Sequence, residues 1–106
     1  MATYPAFRFE GLNKNSTCNV YPITLNDNIF NIKVEWDFVC DCAFMTLYDK
    51  NMQLVKGATA LVNNLFVKFD QRILPGHLRF IHKNKKTYEP ELNNIAEEFY
   101  LIYVNE

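Results

Sequence analysis

Glycine is scarce in this 106-residue sequence, with only three residues. A loop that cradles phosphate needs glycines at fixed spacing, and neither G-x-x-x-x-G-K nor G-x-G-x-x-G occurs. Cysteine is almost as rare: Cys18, Cys40 and Cys42 are the three. An odd count argues against a disulfide framework. The N-terminus, "MATYPAFRFEG", has no basic start and no apolar run, so a cytosolic origin is expected rather than secretion. No apolar stretch approaches the roughly 20 residues that a membrane-spanning helix requires. Nor does one sign of charge dominate. Eleven basic and twelve acidic residues leave a net charge of −1, too little to draw in nucleic acid or an anionic bilayer from a distance.

What the sequence does hold is apolar and aromatic. Hydrophobic residues make up 49% of it, with nine Phe, six Tyr and one Trp, enough for a packed core and not the composition of a disordered chain. The length fits one domain with one core. The clearest pattern is "FNIKVEWDF", where Phe30, Ile32, Val34, Trp36 and Phe38 alternate with polar residues, as on a half-buried strand. Before it, "CNVYPITL" reads as a strand whose Pro22 places it at an edge or makes it start late, and "NDN" as the turn between them. "CDCAFMTLYD" is the return strand. Cys42, Phe44 and Thr46 share one face and Ala43, Met45 and Leu47 the other, which predicts a central strand buried on both sides.

"ATALVNNLFVKFDQRIL" supports two readings. Leu61, Leu65, Phe69 and Ile73 recur every fourth residue, as on a helix face. The same letters form a hairpin of Ala58–Val62 and Leu65–Phe69 around Asn63-Asn64. The short strands on either side favour the hairpin, with a short helix near residues 65–72 as the alternative. "LPGH" is a turn, "HLRFIHK" a strand, "NKKTYEPELNN" a polar loop and "EEFYLIYV" a final strand. The expected fold is all-β: about six to eight short antiparallel strands with meander connections, closing as a single small β-sandwich or β-barrel. Residues 1–16 are expected to form an N-terminal arm and residues 17–106 the β domain.

Cys18, Cys40, Cys42, His77 and His82 are the candidate donors for a metal. Structural zinc prefers C-x₂₋₄-C pairs on tight knuckles. Here the pair is C-x-C on a predicted strand, where same-face neighbours stand about 6.8 Å apart, and no second pair exists. The thiols therefore read as small buried hydrophobes, and no metal or other cofactor is expected. A Cys40 or Cys42 nucleophile paired with His77 or His82 has no local signature behind it, so the chain does not read as an enzyme. Glu35 and Asp37 sit on the polar face of their strand and read as solvated charge, like nearby Asp41 and Asp49. Lys83, Lys85 and Lys86 are offset by Glu89, Glu91, Glu97 and Glu98. The final strand is different, because neither of its faces is polar. Together with the arm it carries more apolar surface than a small sandwich can bury alone. That favours a protein that binds other proteins over one that turns over substrate.

Taken in order, "VYPITL", "NIFNIKVEWD", "FMTLYDKNMQLVKG", "ALV", "LPGHLRF", "YEPELNN" and "YLIYV" resemble the baseplate plug proteins of contractile-tailed phages, over about residues 19–104. Asp37 stands where that family usually has Asn and Phe44 where it has Trp. Asn51 replaces a turn glycine, and "LVNNLF" lacks another. The resemblance implies a structural virion component of a tail baseplate, a plug or hub-associated subunit made in the host cytoplasm and present in several copies. Its partners would be hub, tube and sheath-associated proteins, met through Tyr4, Pro5, Phe7 and Phe9 of the arm and Tyr100, Ile102 and Tyr103 of the final strand, with no nucleic acid, membrane or cofactor involved. The alternative is a stand-alone β-sandwich module that binds carbohydrate or peptide through surface aromatics.

Overall fold

In the computed structural model, which describes residues 6–104, the chain forms β1 (Ala6–Phe7), β2 (Cys18–Leu25), β3 (Asn28–Asp37), β4 (Cys42–Asp49), β5 (Leu54–Ala60), β6 (Leu65–Lys68), β7 (His77–His82), a one-turn helix α1 (Ile95–Glu98) and β8 (Phe99–Val104). Two four-stranded antiparallel sheets result, ordered β2-β3-β4-β5 and β1-β8-β7-β6. They share one core and form a small all-β domain with the layering of a sandwich.

The alternating letters of β3 do what their period dictates: Phe30, Ile32, Val34 and Trp36 point into the core. β2 and β3 are joined by Asn26 and Asp27 at φ 51° and 63°, the paired left-handed residues of a type I′ turn. A two-residue turn makes Leu25↔Asn28 a hydrogen-bonded pair, and counting back along the ladder leaves Pro22↔Asn31 as a pair without backbone bonds. Proline's missing N–H therefore faces away from β3, on the open edge of the sheet. There it withholds a donor from any strand that approaches. Replacing Pro22→Thr restores that donor, and sedimentation velocity is expected to show stronger self-association than wild type at equal concentration. Equal self-association would contradict this role.

Two expectations need correction. Leu65–Lys68 is a strand, not a helix, and it does not form a hairpin with the strand before it, because β5 and β6 lie in different sheets. The Asn63-Asn64 segment is a crossover. Asn63 is tied to the polar loop by Nδ2 bonds to the carbonyls of Lys86 (2.7 Å) and Tyr88 (2.9 Å), and its N–H donates to Glu89 Oε1. Those partners lie more than twenty residues away, so the local letters cannot distinguish this crossover from a tight turn. Second, β4 is central, but only its Ala43, Met45 and Leu47 face is buried. Cys42, Phe44 and Thr46 are half-buried on the outer side.

The N-terminal segment packs on the rest of the fold: β1 pairs with β8, and Phe9 and Leu12 are enclosed in the core. Phe9 lies 5.3 Å from the Tyr21 ring of the first sheet and 6.0 Å from Phe80 of the second, and Phe80 stacks on Phe99 at 5.3 Å. The Tyr21 hydroxyl donates to the carbonyl of Glu10 at 2.8 Å. The described part of the arm is thus an aromatic bridge between the two sheets.

Candidate protein interface

In the second sheet, Phe7, Leu101, Phe80 and Leu65 turn inward, so the strand period sends their neighbours outward. One outward row runs Ala6, Ile102, Arg79 and Phe66 across all four strands, and beside it lie Tyr100 and Ile81. Phe66 is 53% exposed and stacks on His77 with ring centroids 4.2 Å apart. The outer face of a one-sided antiparallel sheet is ordinarily polar. Here Arg79 and Lys68 supply its charges, and the rest of these rows is apolar or aromatic.

Of the expected contact residues, the structure places Tyr100 and Ile102 on this face, half-buried. Phe7 is half-buried against Phe9 and Tyr21. Phe9 and Tyr103 are spent internally: Phe9 in the core, and Tyr103 pointing inward with its hydroxyl donating to the Pro75 carbonyl. Burial pushes the Tyr103 phenol pKa up, which keeps that donor in place. Tyr4 and Pro5 lie outside the described residues. Phe66 and Ile81 were not anticipated, although the period-two pattern of "LFVKF" and "HLRFIH" carries the signal.

The thiols are not packing atoms. Cys40 sits in the β3–β4 turn and is exposed, as is Cys18, while Cys42 is half-buried. Burial raises the Cys42 thiol pKa, and neighbouring Cys40, Asp37 and Asp41 raise it further, the opposite of what activates a thiol nucleophile. Among the described residues, no group of three His, Cys, Asp or Glu side chains could hold a metal ion.

His77 and His82 occupy opposite faces of β7, and His82 has its own polar cluster. Only 2% exposed, its Nδ1 accepts the backbone N–H of Asn84 at 2.9 Å and, more weakly, that of Lys86 at 3.4 Å. The remaining proton must therefore sit on Nε2, which lies 3.1 Å from Glu98 Oε1 and 2.7 Å from the Tyr88 hydroxyl. Tyr88 in turn donates to Glu98, and the Lys83 N–H donates to the Glu98 carbonyl. The Glu98 hydrogen bond, followed by desolvation, raises the Tyr88 phenol pKa. Hydrogen bonds from Tyr88 and then His82 lower that of Glu98. A phenol held protonated beside a carboxylate held ionised is a clamp on the 83–98 loop, not an activated nucleophile.

The clamp gives stability a pH dependence with a definite sign. A depressed Glu98 pKa contributes stability that is present above the unfolded carboxylate range and is lost as pH falls through the folded value. A raised Tyr88 pKa contributes stability that is complete below the ordinary phenol range and is lost as pH rises through the folded value. In urea titrations across pH, Glu98→Gln is expected to flatten the acid limb relative to wild type. An unchanged acid limb would contradict the clamp.

No curated protein and no solved structure matches the chain. A family model does, described as cyanophage baseplate Pam3 plug gp18, and the match runs over residues 12–106. It takes in β2 to β8 and the clamp, and begins after β1 and Phe9. The chain belongs to the cyanophage baseplate Pam3 plug gp18 family.

Proposed function

We propose that the protein is a plug or hub-associated structural subunit of a contractile tail baseplate and acts by packing the outer face of its second sheet against neighbouring hub, tube or sheath-associated proteins. Membership in a baseplate plug family supports a structural role in the virion. The observation that carries the specific reading is the largely apolar outer face, where Tyr100, Ile102, Ile81, Ala6 and Phe66 are spread over all four strands with Arg79 among them. A surface of that kind is stable in water at a cost and gains when another protein covers it. No bond is made or broken in this role, so no catalytic residue is assigned. Several copies per baseplate fit a subunit whose function is contact.

The test is incorporation. Phe66→Glu puts a carboxylate on the exposed edge of this face, where folding tolerates it. Its thermal melt is expected to match wild type, while its recovery in assembled tails falls at least about tenfold. A folded Phe66→Glu protein that enters tails at the wild-type level would overturn the reading.

A further inference from the structure

The most exposed apolar residues are not on the second sheet. They are Phe38 and Val39, 67% and 95% exposed, at the tip of the β3–β4 turn. The strand period carries Phe38 on from Trp36, yet the turn takes it out of the core. The tip is held in shape: Asp37 Oδ1 accepts the backbone N–H groups of Val39 at 2.8 Å and Cys40 at 3.1 Å, and Asp41 follows at φ 55°. Such a tip presents two apolar side chains on a fixed backbone, so little order has to be gained on binding.

Its surroundings specify what it fits. On one side lies a cleft of about 630 Å³ whose lining includes Phe44, Ala58, Lys33, Glu35 and Asp37. On the other is a cleft of about 830 Å³ whose lining includes Asp41, Glu89 and Glu91. Phe38 and Trp36 line both. Five carboxylates and one lysine therefore surround an apolar knob, in a chain whose charges nearly balance overall. A like-charged or purely apolar partner would leave those carboxylates repelled or desolvated without compensation.

We propose that the Phe38–Val39 tip is a second docking contact, which inserts into an apolar pocket rimmed by lysine or arginine on a neighbouring baseplate protein. This rests on the baseplate reading but uses a different surface, at the end of the first sheet, and it makes the subunit a bridge between two neighbours.

The experiment places the photo-crosslinking residue p-benzoylphenylalanine at position 38 and, separately, at position 66, and irradiates assembled tails. The expected result is an adduct from position 38 to another tail protein, at an apolar segment flanked by Lys or Arg. Phe38→Ser with Val39→Ser should melt like wild type and incorporate at least about tenfold less well. Adducts from position 66 with none from position 38 would overturn the tip contact and leave the outer-face reading standing. So would an adduct from position 38 to a second copy of this chain, or to a pocket rimmed by Asp or Glu. Absence of adducts from both positions would overturn both readings.

Discussion

Phe9→Ala is expected to lower the unfolding free energy by about 3–5 kcal/mol, the range for emptying a buried phenylalanine site. Small domains have about 5–15 kcal/mol in total, so much of the stability is at stake. The residue is 0% exposed, and its ring contacts Tyr21 in one sheet and Phe80 in the other. Among the described residues no other aromatic ring contacts both of those rings, so removing it opens a cavity that the surrounding strands cannot collapse to fill without moving the sheets together. An accessory arm would behave quite differently, since surface truncations usually change stability by less than about 0.5 kcal/mol. Urea unfolding followed by circular dichroism separates the two cases. A loss below about 1 kcal/mol would mean that residues 6–12 decorate the fold and do not bridge it.

His82→Leu should cost about 1–3 kcal/mol despite replacing a buried polar ring by a buried apolar side chain. Leucine fills most of the space but accepts no hydrogen bond. The N–H groups of Asn84 and Lys86 lose their acceptor, and Glu98 loses a donor. The two bonds to Nδ1 are worth about 0.5–1.5 kcal/mol each, which outweighs the gain from burying more hydrocarbon. His82→Gln, which keeps a donor and an acceptor, should recover part of the loss. If His82→Leu were neutral, the clamp would contribute nothing to holding the 83–98 loop. Equal losses in His82→Leu and His82→Gln would assign the effect to ring packing against Phe99 and Tyr88, whose centroids lie 5.1 and 4.9 Å away.

Much of this fold is legible in the letters, and the limits are physical. β2, β3 and the turn between them could be read because their determinants are local: an unbroken period of two, a proline at an edge and an Asn-Asp pair that tolerates positive φ. The partner of β6 could not, because the crossover at Asn63 is fixed by carbonyls of residues 86 and 88. Leu61 and Leu65 match a helix face and a strand equally well. Phe38 was misplaced for a related reason: alternation says which way a side chain points only while the strand continues, and the Asp37 turn ends it. The candidate interface was half visible. "FYLIYV" shows that β8 is apolar on both sides, but which side faces outward depends on its pairing with β7 and β1. His82 was considered as a metal ligand or a base. Its true partners, Tyr88 and Glu98, lie in the polar loop and at the end of a one-turn helix that no periodic pattern marks.

The structural role stands or falls on what covers the second sheet in the virion. A reconstruction of the assembled tail at side-chain resolution should show density from another chain over Phe66, Ile81, Tyr100 and Ile102. A baseplate in which the subunit is present and those four side chains face bulk solvent would contradict it.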